Sequence, residues 1–501
     1  MASTRRCGSP SSARRYDDRL LAVARGVATQ RSAVRRTGSL MSYRRRCTRV
    51  PARPLNAREV ARRVVRRVDG EGAYVSLALD GELERSRLGP EDRALATEIA
   101  YGVVRHRTRL GRALAVHAPR GLDRLSPAVR IALEAAAYQL LFLDRVPAYA
   151  VVDDAVGAIR RVAGPRVAGF ANHVLRAVAS AGEPAAPDRS DMPARLAAIC
   201  SMPAWLVDQL TDSLAEDEWE EGAVALTAQA PLWGRIDRSR IDPAELARVL
   251  AGERAGASAE ESRLCADAVR ITRIGNPDSS RSFKDGLWTV QDLGAQVVAR
   301  MVGARPGQRI LDACAGVGGK STHLAQITGD RATIDAADQS ARKLELLTGT
   351  ARRLGLSSIR PIEVDLLQPG PELDGPYDAI LLDAPCSGLG VLRRHPELKW
   401  RSSPAQVAEL AALQRRLLAA LWPRLRPGGV LVYSVCTFTD AEGPAQIHDL
   451  LAAHHELEHV PPEPDPAVDW GAIETGGHQV RTWPHRHDAD AFFAARLRRR
   501  S

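Results

Sequence analysis

The 501-residue chain is poor in cysteine and lysine and has no long apolar run, and each scarcity excludes something. Its seven cysteines, at 7, 47, 200, 265, 314, 386 and 436, are odd in number and unpatterned, which argues against a disulfide framework and for a reducing compartment. None forms Cys-x-x-Cys and no histidine pair has zinc-ligand spacing, so no metal site is expected. No stretch approaches the roughly 18 apolar residues that cross a bilayer. The doublets Arg5-Arg6 and Arg14-Arg15 resemble an export signal, but Arg25 and Arg31 break the apolar run that would have to follow. A cytoplasmic protein without a membrane partner is expected. Of 70 basic residues only four are lysine (284, 320, 343 and 399), a bias that fits a GC-rich genome. That rarity singles out Lys320 and Lys399 as a hint of a site.

The net charge of +10 suggests a nucleic-acid partner until it is located. Residues 1–53 hold 14 of the 70 basic and 2 of the 60 acidic residues, leaving 56 basic and 58 acidic for the rest. The excess therefore belongs to a Ser/Arg/Gly-rich tail without apolar periodicity, which is expected to be disordered. Two readings of it stay open: an RNA-binding arm, or an upstream extension with Met41 as the true start.

Residues 54–183 read as an all-α bundle. Val60, Val64, Val65 and Val68 fall at helical spacing, as do Leu95, Ile99, Val103 and Val104. Ser126-Pro127 opens an apolar central helix, and Pro147 and Gly164-Pro165 punctuate two more. Residues 184–285 read as a linker followed by a small α+β connector, with a helix at 205–210 and strands at 232–236 and 268–271. Residues 286–501 alternate apolar strands (309–311, 332–336, 359–364, 379–382, 430–434) with helices, the longest at 406–425. This predicts a doubly wound α/β sheet.

The first turn of that sheet carries Asp312-Ala313-Cys314-Ala315-Gly316-Val317-Gly318-Gly319-Lys320-Ser321, a glycine-rich turn opening a helix. A phosphate-binding loop would need glycine where Cys314 stands, and the dinucleotide pattern would need it at Ser321. Acids instead follow four successive strands: Asp312, Asp338, placed for ribose hydroxyls, Asp365, placed for an adenine amino group, and Asp383. Together they describe an S-adenosylmethionine site better than a phosphate site. Two further strands end in Asp383-Ala384-Pro385-Cys386-Ser387-Gly388 and Tyr433-Ser434-Val435-Cys436-Thr437. A lone cysteine is more often a small buried hydrophobe. Two of them at neighbouring strand ends, beside a carboxylate, point to covalent chemistry on an electrophilic carbon.

Two resemblances extend these readings. Leu88-Gly89-Pro90-Glu91-Asp92-Arg93, Tyr101-Gly102-Val103-Val104 and Gly169-Phe170-Ala171-Asn172-His173-Val174-Leu175-Arg176 resemble the RNA-binding helical domain named after NusB. Asn172 is read as either a helix-contact group or an RNA contact. The segments 285–292, 318–321, 383–390, Arg393-Arg394-His395-Pro396-Glu397-Leu398-Lys399-Trp400 and 433–437 resemble the RNA 5-methylcytosine methyltransferases, and the NusB-like part narrows this to the RsmB (Sun, Fmu) group. The chain departs from the pattern at Gly316-Val317, usually Ala-Pro, at Gly443-Pro444, where asparagine is usual, and at Ala491, where glycine is common.

The resemblance implies a Rossmann-like methyltransferase domain that modifies a cytosine of 16S rRNA, free or in a partly assembled small subunit, and a monomer. It implies Cys436 as nucleophile on C6, Asp383 on the N3/N4 edge of the base, Cys386 in proton loss and release, and Lys320 ordering the site. S-adenosyl-L-methionine would lie on Cys314, Ala315, Gly316, Val317, Gly318, Gly319, Lys320, Asp338, Asp365 and Asp383. DNA enzymes use the Pro-Cys cysteine instead, so Cys386 is the rival nucleophile. A tRNA enzyme on the same catalytic domain, and a non-catalytic RNA-binding assembly factor, are the alternatives.

Overall fold

Helix signals in the first half of the chain become a bundle because each amphipathic stripe meets another. The computed structural model describes residues 55–119 and 121–501, so the basic tail and Met41 lie outside the described residues. Helix Ala57–Glu71 is capped by Asn56, whose side chain accepts from Glu59 N at 2.8 Å, and it buries Val60, Val64, Val65 and Val68. These pack on Pro127–Phe142, the central helix expected from its apolar run. The stretch Ala148–Ala181 breaks at Gly164 (φ 82°, ψ 176°), with Pro165 next, so it is two helices, as the punctuation predicts. Asn172 accepts from Arg176 Nε one turn on, at 3.2 Å.

The connector is an antiparallel sheet in the order β2-β3-β1-β4: β1 Leu232–Ile236, β2 Ser258–Glu261, β3 Ala268–Thr272 and β4 Trp288–Val290. Strand β4 lies beyond residue 285 in sequence yet pairs with β1. Helices Met192–Ile199, Trp219–Thr227 and Pro243–Glu253 also belong to this region, and none stands out from the sequence pattern.

The large sheet contains β5 Arg309–Ala313, β6 Thr333–Asp338, β7 Ile359–Glu363, β8 Tyr377–Asp383, β9 Leu425–Val435, β10 Leu457–His459, β11 Glu474–Thr475, β12 Gln479–Thr482 and β13 Phe492–Arg499. Its order is β11-β12-β13-β9-β8-β5-β6-β7, with β10 beside β13. Strands β5 to β9 are parallel, and β13 runs antiparallel to β9. The chain leaves β5 toward β6 on one side and returns to β8 on the other, so the topological switch lies between β5 and β8, where doubly wound sheets bind ligands. The long helix is Pro404–Leu421 rather than 406–425. Ser403 caps it two residues earlier than expected, and Trp422–Arg424 turns the chain into β9.

The segment Arg393–Trp400 resembles a site motif but clasps the domains together. The ammonium of Lys399 is buried and donates to Arg105 O at 2.7 Å and Cys200 O at 3.0 Å, the carbonyl ends of helices Pro90–Arg105 and Met192–Ile199. Glu397 accepts from Val75 N at 3.2 Å, the first residue of helix Val75–Arg85, and Trp400 Nε1 donates to Val104 O at 3.0 Å. A cation at two helix carboxyl ends and an anion at a helix amino end both match the helix dipoles. The hint that Lys399 marks a reaction site is thereby corrected. Its ammonium serves a junction between domains.

Burial pushes the Lys399 ammonium down to about 7. The folded chain releases this proton near pH 7 while the unfolded chain keeps it to 10.5, so stability should rise with pH across that window. Lys399→Met removes the slope and leaves two carbonyls without a donor. Urea unfolding should show a loss of roughly 2–3 kcal/mol at pH 9 and a smaller one at pH 6.

Candidate active site

The glycine-rich turn leaves β5 through three left-handed residues, Cys314 (φ 63°), Gly316 (φ 58°) and Gly318 (φ 84°). Gly318 needs both its φ and its missing side chain, because a Cβ there would lie 2.3 Å from Leu347 Cγ. The turn is tied to β6 by Ala315 N to Ala337 O at 2.9 Å and by Gly316 N to Asp338 Oδ2 at 2.9 Å. Asp338 Oδ1 accepts from Ser340 N at 2.9 Å. Asp365 is exposed and accepts from Gln339 Nε2 at 3.1 Å, which ties it to the residue that follows Asp338. Val317 stands exposed at the tip of the turn. Burial raises the Cys314 thiol far above its ordinary range, which makes it a structural rather than a reactive cysteine.

Asp312, inside β5, accepts from Ser321 Oγ at 2.5 Å through Oδ2, while its buried Oδ1 has no partner among the described residues. Burial pushes this carboxyl up to about 7.

Strands β8 and β9 pair in register with Asp383 beside Ser434. That register brings the two cysteine loops together, and the Sγ atoms of Cys386 and Cys436 lie 3.3 Å apart. Asp383 accepts from Ser434 Oγ at 2.8 Å and from Lys320 Nζ at 2.5 Å. Burial opposes the charge on Lys320, but Asp383 outweighs it and holds the ammonium above its ordinary range. The same Nζ lies 5.3 Å from the centre of the Phe492 ring. The hydrogen bond to Cys436 is the largest influence on Cys386, followed by burial and by the negative Glu442 and Asp383, and all raise its thiol. The two sulfurs thus share one hydrogen bond in which either can be the donor.

Beneath both loops lies Glu442, fully buried, which sequence reasoning registered only as a neighbour of the Gly443-Pro444 departure. Its carboxylate accepts from Ser387 N (2.7 Å), Ser387 Oγ (2.5 Å), Thr439 Oγ1 (2.9 Å) and Gln414 Nε2 (3.2 Å). Its carbonyl accepts from Tyr433 OH at 2.6 Å. Nothing in a single Glu-Gly-Pro signals this, because the donors come from three separate segments. Gly390 seals the arrangement: its N donates to Cys436 O at 2.9 Å, its carbonyl accepts from Ala491 N at 3.0 Å, and a Cβ would meet Ala491 O at 1.9 Å. Arg394 joins Asp292 (2.7 Å) to Asp490 (2.6 Å), which ties two of the motif segments to the segment that holds Ala491. Glu442→Ala strands buried donors in both loops and should lower the unfolding free energy by roughly 3 kcal/mol. In denaturant titrations and thiol labelling of native protein, it should also expose Cys386 and Cys436 to modification faster than in the parent.

Family models match three stretches of the chain: the 16S rRNA methyltransferase RsmB/F model over residues 299–498, the NusB family over 55–180, and the ferredoxin-like domain of RsmF/B-like methyltransferases over 202–276. A Synechocystis protein named "Probable ribosomal RNA small subunit methyltransferase B" is 34% identical over 453 residues, covering 89% of this chain and 100% of the relative. Among solved structures, PH0851 superposes with a TM-score of 0.73 at 24% identity, covering 88% of this chain and 99% of that one. NSun6 from Pyrococcus horikoshii, solved with the S-adenosylmethionine analogue SFG, gives 0.51 at 20% identity over 60% of this chain and 98% of its own. These two likenesses concern the fold. From its NusB bundle to its doubly wound sheet, the chain belongs to the RsmB/F family of 16S rRNA methyltransferases.

Proposed function

We propose that the protein methylates C5 of a cytosine in 16S rRNA, with S-adenosylmethionine as methyl donor and Cys436 as nucleophile. The observation that carries this reading is the sulfur pair at 3.3 Å beside the Lys320–Asp383 ion pair. The donor set suits the cofactor: a cradle of tight backbone from Cys314 to Lys320, Asp338 and Asp365 beside it for ribose and adenine, and the unpartnered Asp312 Oδ1 for an ammonium. NSun6, on the same fold, was solved with a cofactor analogue. When bound, the cofactor supplies an electrophilic methyl group.

The chain's residues then divide the work. The Cys436 sulfur, relieved of its proton, adds to C6 and makes C5 electron-rich. Asp383 meets the N3/N4 edge of the base and steadies the charge that develops there, with Lys320 and Ser434 fixing its carboxylate. After methylation the C5 proton leaves, the C6–S bond breaks and its electron pair returns to Cys436, restoring the C5–C6 double bond. Cys386, whose sulfur lies 3.3 Å from that of Cys436, gives its proton to the departing Cys436 sulfur and takes up the C5 proton in exchange, so both thiols are restored. The target base must be unpaired or extruded to reach the thiols. This reading carries with it a monomer acting on free RNA or on a partly assembled subunit.

A strain lacking the gene should lose one 5-methylcytosine from 16S rRNA by bisulfite sequencing, with tRNA unchanged; intact 16S methylation would refute the assignment. In vitro, Cys386→Ala should accumulate an RNA adduct that survives denaturing electrophoresis, and Cys436→Ala should form none. The reverse pattern would exchange the two roles.

The proton on Asp312 stabilises the folded chain below the carboxyl's ordinary 3.8, and that contribution is lost as pH rises through about 7. A cofactor ammonium needs the ionised form. S-adenosylhomocysteine should therefore bind several-fold tighter at pH 8 than at pH 6 in calorimetry, and Asp312→Asn should flatten the difference.

A further inference from the structure

Arg235, on β1 of the connector, is fully buried against the first turn of helix Gly319–Ile327. Nε donates to Gln326 Oε1 at 2.7 Å, one terminal nitrogen to Gly319 O at 2.7 Å and to Gln291 Oε1, and the other to Thr322 Oγ1 at 2.9 Å. All these partners are neutral. A guanidinium has donors only, so the Gln291 atom that faces it is the oxygen, and the amide orientation is settled. Its Nε2 points the other way. That nitrogen has no hydrogen-bond partner among the described residues, although Gln291 is only 7% exposed.

The direction of Nε2 is recorded by Gly319. A Cβ built there would lie 3.9 Å from Gln291 Nε2. Gln291 Nε2 thus lies, buried, beside the first turn of helix Gly319–Ile327, whose leading N–H groups have no intrahelical acceptors. A buried donor left unpaired costs about 1–3 kcal/mol, so a ligand oxygen is the natural complement. The guanidinium behind it and the helix dipole make the spot favourable for an anionic oxygen.

We propose that Gln291 is a cofactor-contact residue that donates to the carboxylate of the cofactor's amino-acid end, and that Arg235 is the positioning residue holding its amide. The proposal rests on the S-adenosylmethionine reading and assigns one group of that ligand to one atom of the chain.

Decarboxylated S-adenosylmethionine keeps the sulfonium and the nucleoside but lacks this group. In calorimetry on the full chain, Gln291→Leu should weaken S-adenosylmethionine by roughly 10-fold or more and the decarboxylated analogue by less than about 3-fold. Gln291→Glu guards against misfolding, because its carboxylate pairs with Arg235. It should repel S-adenosylmethionine and leave the analogue's affinity within about 3-fold. If either folded variant weakens both ligands equally, or neither, the assignment to Gln291 is overturned. If the parent protein binds neither ligand, the cofactor reading itself fails, and this assignment with it.

Discussion

The ion pair between Lys320 and Asp383 joins the two halves of the site, and the geometry on either side depends on it. Lys320 comes from the turn after β5 and Asp383 from the end of β8, the two strands that flank the topological switch. Ser434 on β9 holds the other carboxylate oxygen. One hydrogen-bonded chain therefore crosses three adjacent strands and links the glycine-rich turn to the loops that carry both sulfurs. A half-buried charge of this kind persists only with its partner in place, since removing either leaves the other uncompensated. The pair sets a carboxylate and a cation side by side next to the two sulfurs.

Around this centre, buried charge does structural work in three other places. Glu442 collects donors from the Cys386 loop, the Cys436 loop and the long helix, so neither cysteine loop can shift without breaking bonds of the other. Arg235 reaches from the connector to fix the start of the helix behind the cofactor turn. Lys399 and Glu397 bind the NusB bundle through the ends of its helices. Each case places an ion where peptide dipoles or a ring of hydrogen bonds replace water. The site is thus held by all three parts of the chain, which gives the NusB bundle a fixed relation to the sulfurs.

Much of the fold could be read directly. The valine stripe at 60, 64, 65 and 68, the break at Gly164-Pro165, and five apolar strands each ending in an acid or a cysteine are local patterns, and local patterns survive folding. The short connector helices escaped notice, because eight to eleven residues give periodicity too little length to speak. Lys399 was read for its rarity, and rarity cannot distinguish a reactive amine from one that caps two carbonyls in a tight junction. Glu442 and Gln291 carried no signal of their own, since each acquires its role from partners many residues away.

By itself, then, the sequence determined the order of the parts, the parallel sheet, the turn whose glycines permit a close backbone, and the two cysteines at neighbouring strand ends, because each depends on residues close together in the chain. Tertiary structure alone decided that the sulfurs touch at 3.3 Å, that Asp383 is locked between Lys320 and Ser434, and that a family-like motif serves as a clasp. Those outcomes follow from strand register and from the burial of charges drawn from distant segments, and neither is encoded at any single position.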